Sequence, residues 1–284
     1  MGIGRDLWHI LRRDRMAMAG AGIIVFFLVM ATVGPLVIHL SSVSNPANAY
    51  AFPSWRHILG TDYAGKDTFA EIVHGSTPVL TVAVLAALFS VFVGSFVGLT
   101  SGLVGGLLDM IIMRAVDVVL TIPSLPLIIV LVTFIHSTSP LIMAAILSVT
   151  GWAGLSRAVR AQALSLAQRE YVEAARVQGL SFWNLISRQL LPNVGPYVAM
   201  NFLLSITGAI YAEVGLYLLG VAPISSSNWG VMLNFAMNQA GSIYTSQSMW
   251  YLFSPMAAIV LLQIGFVLLT RALDQLFNPR LRTL

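Results

Sequence analysis

Few side chains in this sequence are equipped for chemistry, and their spacing removes most of them. Gly60-Thr61-Asp62-Tyr63-Ala64-Gly65-Lys66 has the glycine and lysine spacing of a loop that cradles phosphates. The next residue should be a Ser or Thr whose hydroxyl ligates magnesium; it is Asp67, a second negative charge beside the phosphates. No strand precedes the stretch. A glycine-rich turn is expected instead, leading into a surface helix from Thr68 to His74, with Asp62, Lys66, Asp67 and Glu71 pairing locally or else touching a partner. His9, His39, His57, His74 and His136 are scattered, without a pair at metal-ligand spacing, and cysteine is absent. Nothing brings a Ser, a His and an Asp together on one rigid element. No catalytic or metal residue is assigned, and a hydrolytic membrane enzyme is unsupported.

Two polar features remain. Glu213 is the one acidic residue deep in an oily segment, where a carboxylate costs about 2.5–3.5 kcal/mol to insert, so it must face protein or a water-filled cavity. Two readings are open: a residue of a translocation path, or a structural carboxylate that is paired or protonated. The other feature is an arginine-studded island around Glu170-Tyr171-Val172-Glu173-Ala174-Ala175-Arg176-Val177-Gln178-Gly179, followed by Leu191-Pro192-Asn193. A short rigid helix is expected from about Arg169 to Gln178. Gly179 can take a positive φ and end it without a Cβ clash, and Pro192 punctuates the return to the next apolar run. The small pair Ala174-Ala175 allows a second surface to approach closely. A chain this apolar keeps such an island out of the bilayer only to dock onto something. The docking candidates are Glu170, Tyr171, Glu173, Ala174, Ala175, Arg176 and Gly179.

The elements that must position these residues are membrane spans. The chain is 57% hydrophobic and 9% charged, with a mean hydropathy of +0.85, far from the ~25% charged residues of soluble domains. The expected fold class is all-α and polytopic. Six transmembrane helices, each near the ~20 residues a bilayer core requires, are expected at about 17–40, 78–103, 111–136, 140–157, 197–221 and 250–271. Of the 15 basic residues, all but Arg56 and Lys66 fall at the termini, in the second and fourth connections or within a few residues of them, which makes that side cytosolic. Both termini and the island are then cytosolic. The net charge of +4 thus reports membrane orientation, not nucleic-acid binding.

The expected organisation follows the chain. Residues 1–16 form a cytosolic amphipathic segment lying on the membrane, or else a frayed tail. The apolar run 17–40 is too long for the h-region of a signal peptide and has no cleavage site after it, so it is the first transmembrane helix. Residues 41–77 make an external loop carrying the surface helix. Residues 78–273 form the membrane core, with the cytosolic loop at 158–195 and an external loop at 222–249, rich in Ser, Asn and aromatics. Residues 274–284 are a cytosolic tail. Ser90, Gly94, Gly98, Gly102 and Gly106 recur every fourth residue, a ladder for close helix approach, either within the chain or at a subunit interface. Pro123 and Pro126 should kink the third span.

The island resembles the EAA loop of the membrane subunits of bacterial ABC importers: Glu173, Ala174, Ala175, Gly179, Leu191 and Pro192 fall at the family spacing, with Gln189 departing at an apolar position. Other segments resemble the dipeptide/oligopeptide branch, in the order that branch shows them. Leu59-Gly60-Thr61-Asp62 with Gly65-Lys66-Asp67 comes first, with Lys66 for an Arg. Met113-Arg114-Ala115-Val116-Asp117 with Ile122-Pro123-Ser124 follows, then Trp229-Gly230 and Asn278-Pro279-Arg280-Leu281-Arg282, with Asn278 for an Asp. The resemblance implies the type I ABC importer permease fold, in the plasma membrane of a bacterium or archaeon. It implies a heterodimer with a second permease chain, two ATPase subunits that carry ATP and magnesium, and an external solute-binding protein, with no cofactor on this chain. The island would be the coupling element that meets one ATPase. Peptides are the implied cargo, with oligosaccharides as the alternative in the same branch. An ion-coupled secondary transporter would need broken midplane helices with intramembrane ion ligands, and Glu213 alone does not supply them.

Overall fold

In a computed structural model, residues 14–41, 43–224, 227–238 and 246–277 are described. The lead-in expected at 1–16, apart from its last three residues, and the closing motif at 278–282 lie outside them. The described residues are helical, with an isolated bridge between Thr61 and Asp67. Among the described residues five helices are long and apolar enough to cross a membrane, and the count rises to six where a bent pair is taken as one span.

Helix α1 (Arg15–Thr32) starts where the Asp14 carboxylate accepts a hydrogen bond from the Met16 N–H at 2.8 Å. It lies against the last helix, α9 (Ser246–Phe277), at two glycines. A Cβ on Gly20 would sit 2.7 Å from the Leu268 Cβ, and one on Gly265 2.8 Å from the Ile23 side chain. Absent side chains, rather than interlocked ones, bring these two helices together.

The expected surface helix at Thr68–His74 and the second span are one helix, α2 (Thr68–Val104), of 37 residues and about 55 Å at 1.5 Å per residue. Glu71, His74 and Pro78 depress the hydropathy of its first turns and hide that continuity from the sequence. Pro78 removes one intrahelical donor, a loss that neighbouring elements make tolerable inside a membrane protein. Here α2 is braced by its neighbours, with the Thr77 hydroxyl on the Ala31 carbonyl at 2.6 Å and the Trp229 indole on the Ile72 carbonyl at 2.9 Å.

The small-residue ladder packs within the chain. A Cβ on Gly94 would meet the Trp152 carbonyl at 2.8 Å, one on Gly98 the Ser156 carbonyl at 2.5 Å, and one on Gly102 the Ala163 Cβ at 2.6 Å. The partner helix is α5 (Pro140–Ala167). It runs ten residues past the expected end at 157, because Arg157 and Arg160 stop the hydropathy signal but are paired with Asp117 and Asp109 and do not stop the helix.

The expected continuous span 111–136 is two helices, α3 (Gly106–Thr121) and α4 (Ser124–Ile135), bent by 83°. Pro123 supplies no N–H and holds Ile122 extended, with φ −80° and ψ 123°. The break falls at Pro123, as expected, and is sharper than a kink. After α6 (Glu170–Val177), Leu185–Leu190 forms a π-type turn. Helix α7 (Leu191–Leu218) then begins one turn and more before the expected 197, with Pro192 in its first turn. Helix α8 (Trp229–Asn238) lies in the connection expected at 222–249.

Two apolar clusters form the interior. One gathers Phe27, Val73, Ile210, Trp229, Tyr251 and Leu262 around the α1, α2, α7, α8 and α9 contacts. The other joins Leu99 and Leu103 of α2, Val159 and Ala163 of α5, and Val172 and Ala175 of α6 to Leu185, Leu190 and Val194.

Candidate functional site

Helix α6 has eight residues, too few to be stable alone, so packing must hold it. Val172 and Ala175, three residues apart, point into the second apolar cluster with 0% and 6% exposure. Its end is a Schellman closure: the Gly179 N–H donates to the Arg176 carbonyl at 2.9 Å and the Leu180 N–H to the Ala175 carbonyl at 3.1 Å, with Gly179 at φ +76°. Glu170 and Glu173 lie in the first turn and Arg176 in the last, each complementing the helix dipole. The Arg176 guanidinium also donates to the Leu103 carbonyl, 3.2 Å away at the last turn of α2.

Glu170, Tyr171, Glu173, Ala174, Arg176 and Gly179 are exposed, as expected of a docking face. Ala175 is not: the small pair is split between the two faces, with Ala174 outward and Ala175 against the chain's own core. That corrects its assignment as a docking contact. Its small size lets α6 approach its own protein.

Next to α6, the exposed Trp183 stacks on Phe96 of α2 at 6.0 Å, and Phe96 on Phe92 at 6.4 Å. The sequence carries no sign of this ladder, because Trp183 is distant in the chain from the other two rings.

Glu213 is fully buried between α7 and α8. Asn228, the residue before α8, donates to its carboxylate at 2.8 Å and accepts from the Gly230 N–H at 2.8 Å. The other carboxylate oxygen has no hydrogen-bond partner among the described residues. Glu213 is not among the lining residues of the hollow between α2, α4, α5 and α7, and its burial and its bond to Asn228 fit the structural reading. Its local effect is to seat the Trp229-Gly230 pair, which is buried inside the bundle rather than exposed on a loop.

A hollow of about 420 Å³ opens between α2, α4, α5 and α7, with Ser90, Ser124, Thr150, Ser205 and Tyr211 among its lining residues and no charged side chain. Single hydroxyl residues in apolar runs are a weak signal in a sequence.

The phosphate-loop look-alike spends its donors on itself. Asp62 accepts from the Ala64 N–H at 2.9 Å and the Lys66 N–H at 2.6 Å, with Gly60 and Gly65 at φ +75° and +74°. Burial pushes the Asp62 carboxyl above the ordinary carboxylate range, while these backbone bonds pull the other way. Asp67 caps α2 on the Ala70 N–H at 3.0 Å and bonds His57 at 2.8 Å.

Residues 91–283 match the family described as binding-protein-dependent transport system inner membrane component, and residues 2–53 match the N-terminal TM domain of oligopeptide transport permease C. The dipeptide transport system permease protein DppC of Bacillus subtilis is 35% identical over 98% of this chain and 86% of its own length. The oligopeptide transport system permease protein OppC of the same organism is 31% identical over 99% and 91%, and that of Haemophilus influenzae 32% identical over 98% and 90%. With those matches on the long apolar helices described above, the chain is a multi-pass plasma-membrane protein and belongs to the family of binding-protein-dependent transport system inner membrane components.

Proposed function

We propose that this chain is one permease subunit of an ATP-driven peptide importer and that α6 is its docking helix for an ATPase subunit. The observation that carries the reading is the construction of α6: an eight-residue helix fastened by Val172, Ala175, Arg176 and a closed C-terminus, presenting Tyr171, Glu173 and Ala174 outward. Peptide cargo is favoured over oligosaccharide by relatives named for dipeptide and oligopeptide transport. A second permease, two ATPases and an external solute-binding protein complete the assembly, and ATP and magnesium belong to the ATPases, where the hydrolysis occurs. The distribution of the basic residues supports a cytosolic α6 and cytosolic termini.

In this mechanism ATP closes the ATPase pair, and the closure stabilises one of two permease conformations over the other, the only way a ligand can drive a conformational equilibrium. The hydroxyl-lined hollow is this chain's share of the path. It presents Ser90, Thr150 and Ser205 to a peptide backbone and no charge to its side chains. That suits a passage that leaves selection to the binding protein.

The test is uptake by the assembled importer in proteoliposomes. Labelled peptide should enter only with ATP and binding protein, and excess unlabelled peptide, not oligosaccharide, should compete. Competition by oligosaccharide alone would overturn the cargo. For orientation, a cysteine in place of the exposed Gln178 in this cysteine-free chain should react only from the cytosolic side; labelling from outside would invert the topology.

A further inference from the structure

Two residues before Leu103, the acceptor of Arg176, a separate set of polar contacts joins α2 and α5 to α3. Asp109, in the first turn of that helix, receives Nε and Nη2 of Arg160 at 2.5 Å each, a bidentate fork from α5. It also accepts the Ser101 hydroxyl of α2. Asp109 and Val116 are the buried residues of α3, whereas Leu107, Met110, Ile111 and Val118 are more than half exposed. A buried carboxylate, beside Val116, is thus one of the two points at which α3 is sunk into the rest of the chain. The exposed pair of Arg157 with Asp117, at 2.5 Å, is a second fastening.

The two ends of α3 show what such a fastening controls. At its start, Gly105 and Gly106 both have left-handed backbones, φ +65° and +61°, a succession that glycine holds without strain. At its end is the 83° bend into α4, whose Ser124, Leu125 and Ile128 line the hollow. Helix α6 shares its apolar cluster with α2 and α5, the two helices that hold Asp109. A bidentate arginine–carboxylate pair fixes orientation as well as distance.

We propose that the clasp of Asp109 by Arg160 and Ser101 is the joint that carries displacement of α6 into the α3–α4 bend and so into the wall of the path. Asp109 and Arg160 are then positioning residues of transport; the inference rests on the docking reading of α6. Breaking the joint leaves the ATPases attached and hydrolysing but disconnects hydrolysis from the wall.

The experiment uses the whole importer in proteoliposomes, with ATP hydrolysis and peptide uptake read on one sample. Asp109→Asn and Arg160→Gln should retain the ATPases while uptake per ATP hydrolysed falls about tenfold, the scale of a typical coupling between sites. A second variant, Asp109→Cys/Arg160→Cys in this cysteine-free chain, should recover the ratio with a bifunctional thiol reagent and not with a monofunctional one. An unchanged ratio in the single variants overturns the proposal. So does failure of all three variants to assemble, which would make the clasp a folding contact. An Ala174→Arg sample that keeps its ATPases and its uptake would instead remove the docking reading beneath it; loss of ATPases there, with an unchanged ratio in the clasp variants, overturns this inference alone.

Discussion

Asn228 holds the Glu213 carboxylate at 2.8 Å while its own side-chain oxygen receives the Gly230 N–H, so one asparagine joins α7 to the first turn of α8. The bond explains how a carboxylate comes to lie buried near the end of an apolar helix. It also places the Trp229 indole beside α2, edge-on to Phe27 with ring centroids 5.7 Å apart.

Glu213→Gln preserves an oxygen for Asn228 and should leave transport near the native level. Glu213→Leu leaves the Asn228 amide buried without its acceptor, at about 1–3 kcal/mol, and should lower the melting temperature of the detergent-purified permease. Thermal unfolding and uptake on the same preparations check both. Loss of uptake in Glu213→Gln with an unchanged melting temperature would return Glu213 to the path.

Gly98→Ala should destabilise the α2–α5 pair, because its Cβ would lie 2.5 Å from a backbone carbonyl that cannot swing aside; overpacking of this kind costs about 1–3 kcal/mol. Gly154→Ala, on α5 with no atom within 4 Å of the added carbon, is the comparison and should be neutral. Melting temperatures of the two variants decide whether the ladder is a packing seam of this chain.

Much of this architecture is legible in the sequence, and the exceptions have physical causes. The bend at Pro123, the closure at Gly179 and the existence of α6 follow from local backbone chemistry, which neighbouring residues determine. The extents of α2 and α5 do not, because hydropathy reports what lipid tolerates whereas Glu71, Arg157 and Arg160 are tolerated by protein. The inward turn of Ala175 is equally hidden: two adjacent alanines carry no phase, and only the partners of Val172 set it. The hydroxyl-lined hollow and the Asp109 clasp join residues tens of positions apart, beyond the reach of any spacing argument.

The outer turn has a pH signature. Burial raises the Asp62 carboxyl above its unfolded value, so its protonated form is favoured in the folded state. That contribution is fully present below the ordinary carboxylate range and is lost as pH rises through the raised value. Asp62→Asn should remove this component, flattening melting temperature against pH across that window. An identical pH profile in the variant would mean that Asp62 does not titrate differently on folding.

The central claim is that the outward face of α6 receives an ATPase. The most direct measurement is the amount of ATPase subunit that co-purifies in detergent with the permease pair carrying Ala174→Arg, an exposed position where a large charged side chain spares the chain's own core. The permease pair should purify intact while the ATPases and peptide uptake are lost. Native amounts of ATPase together with native uptake would contradict the account.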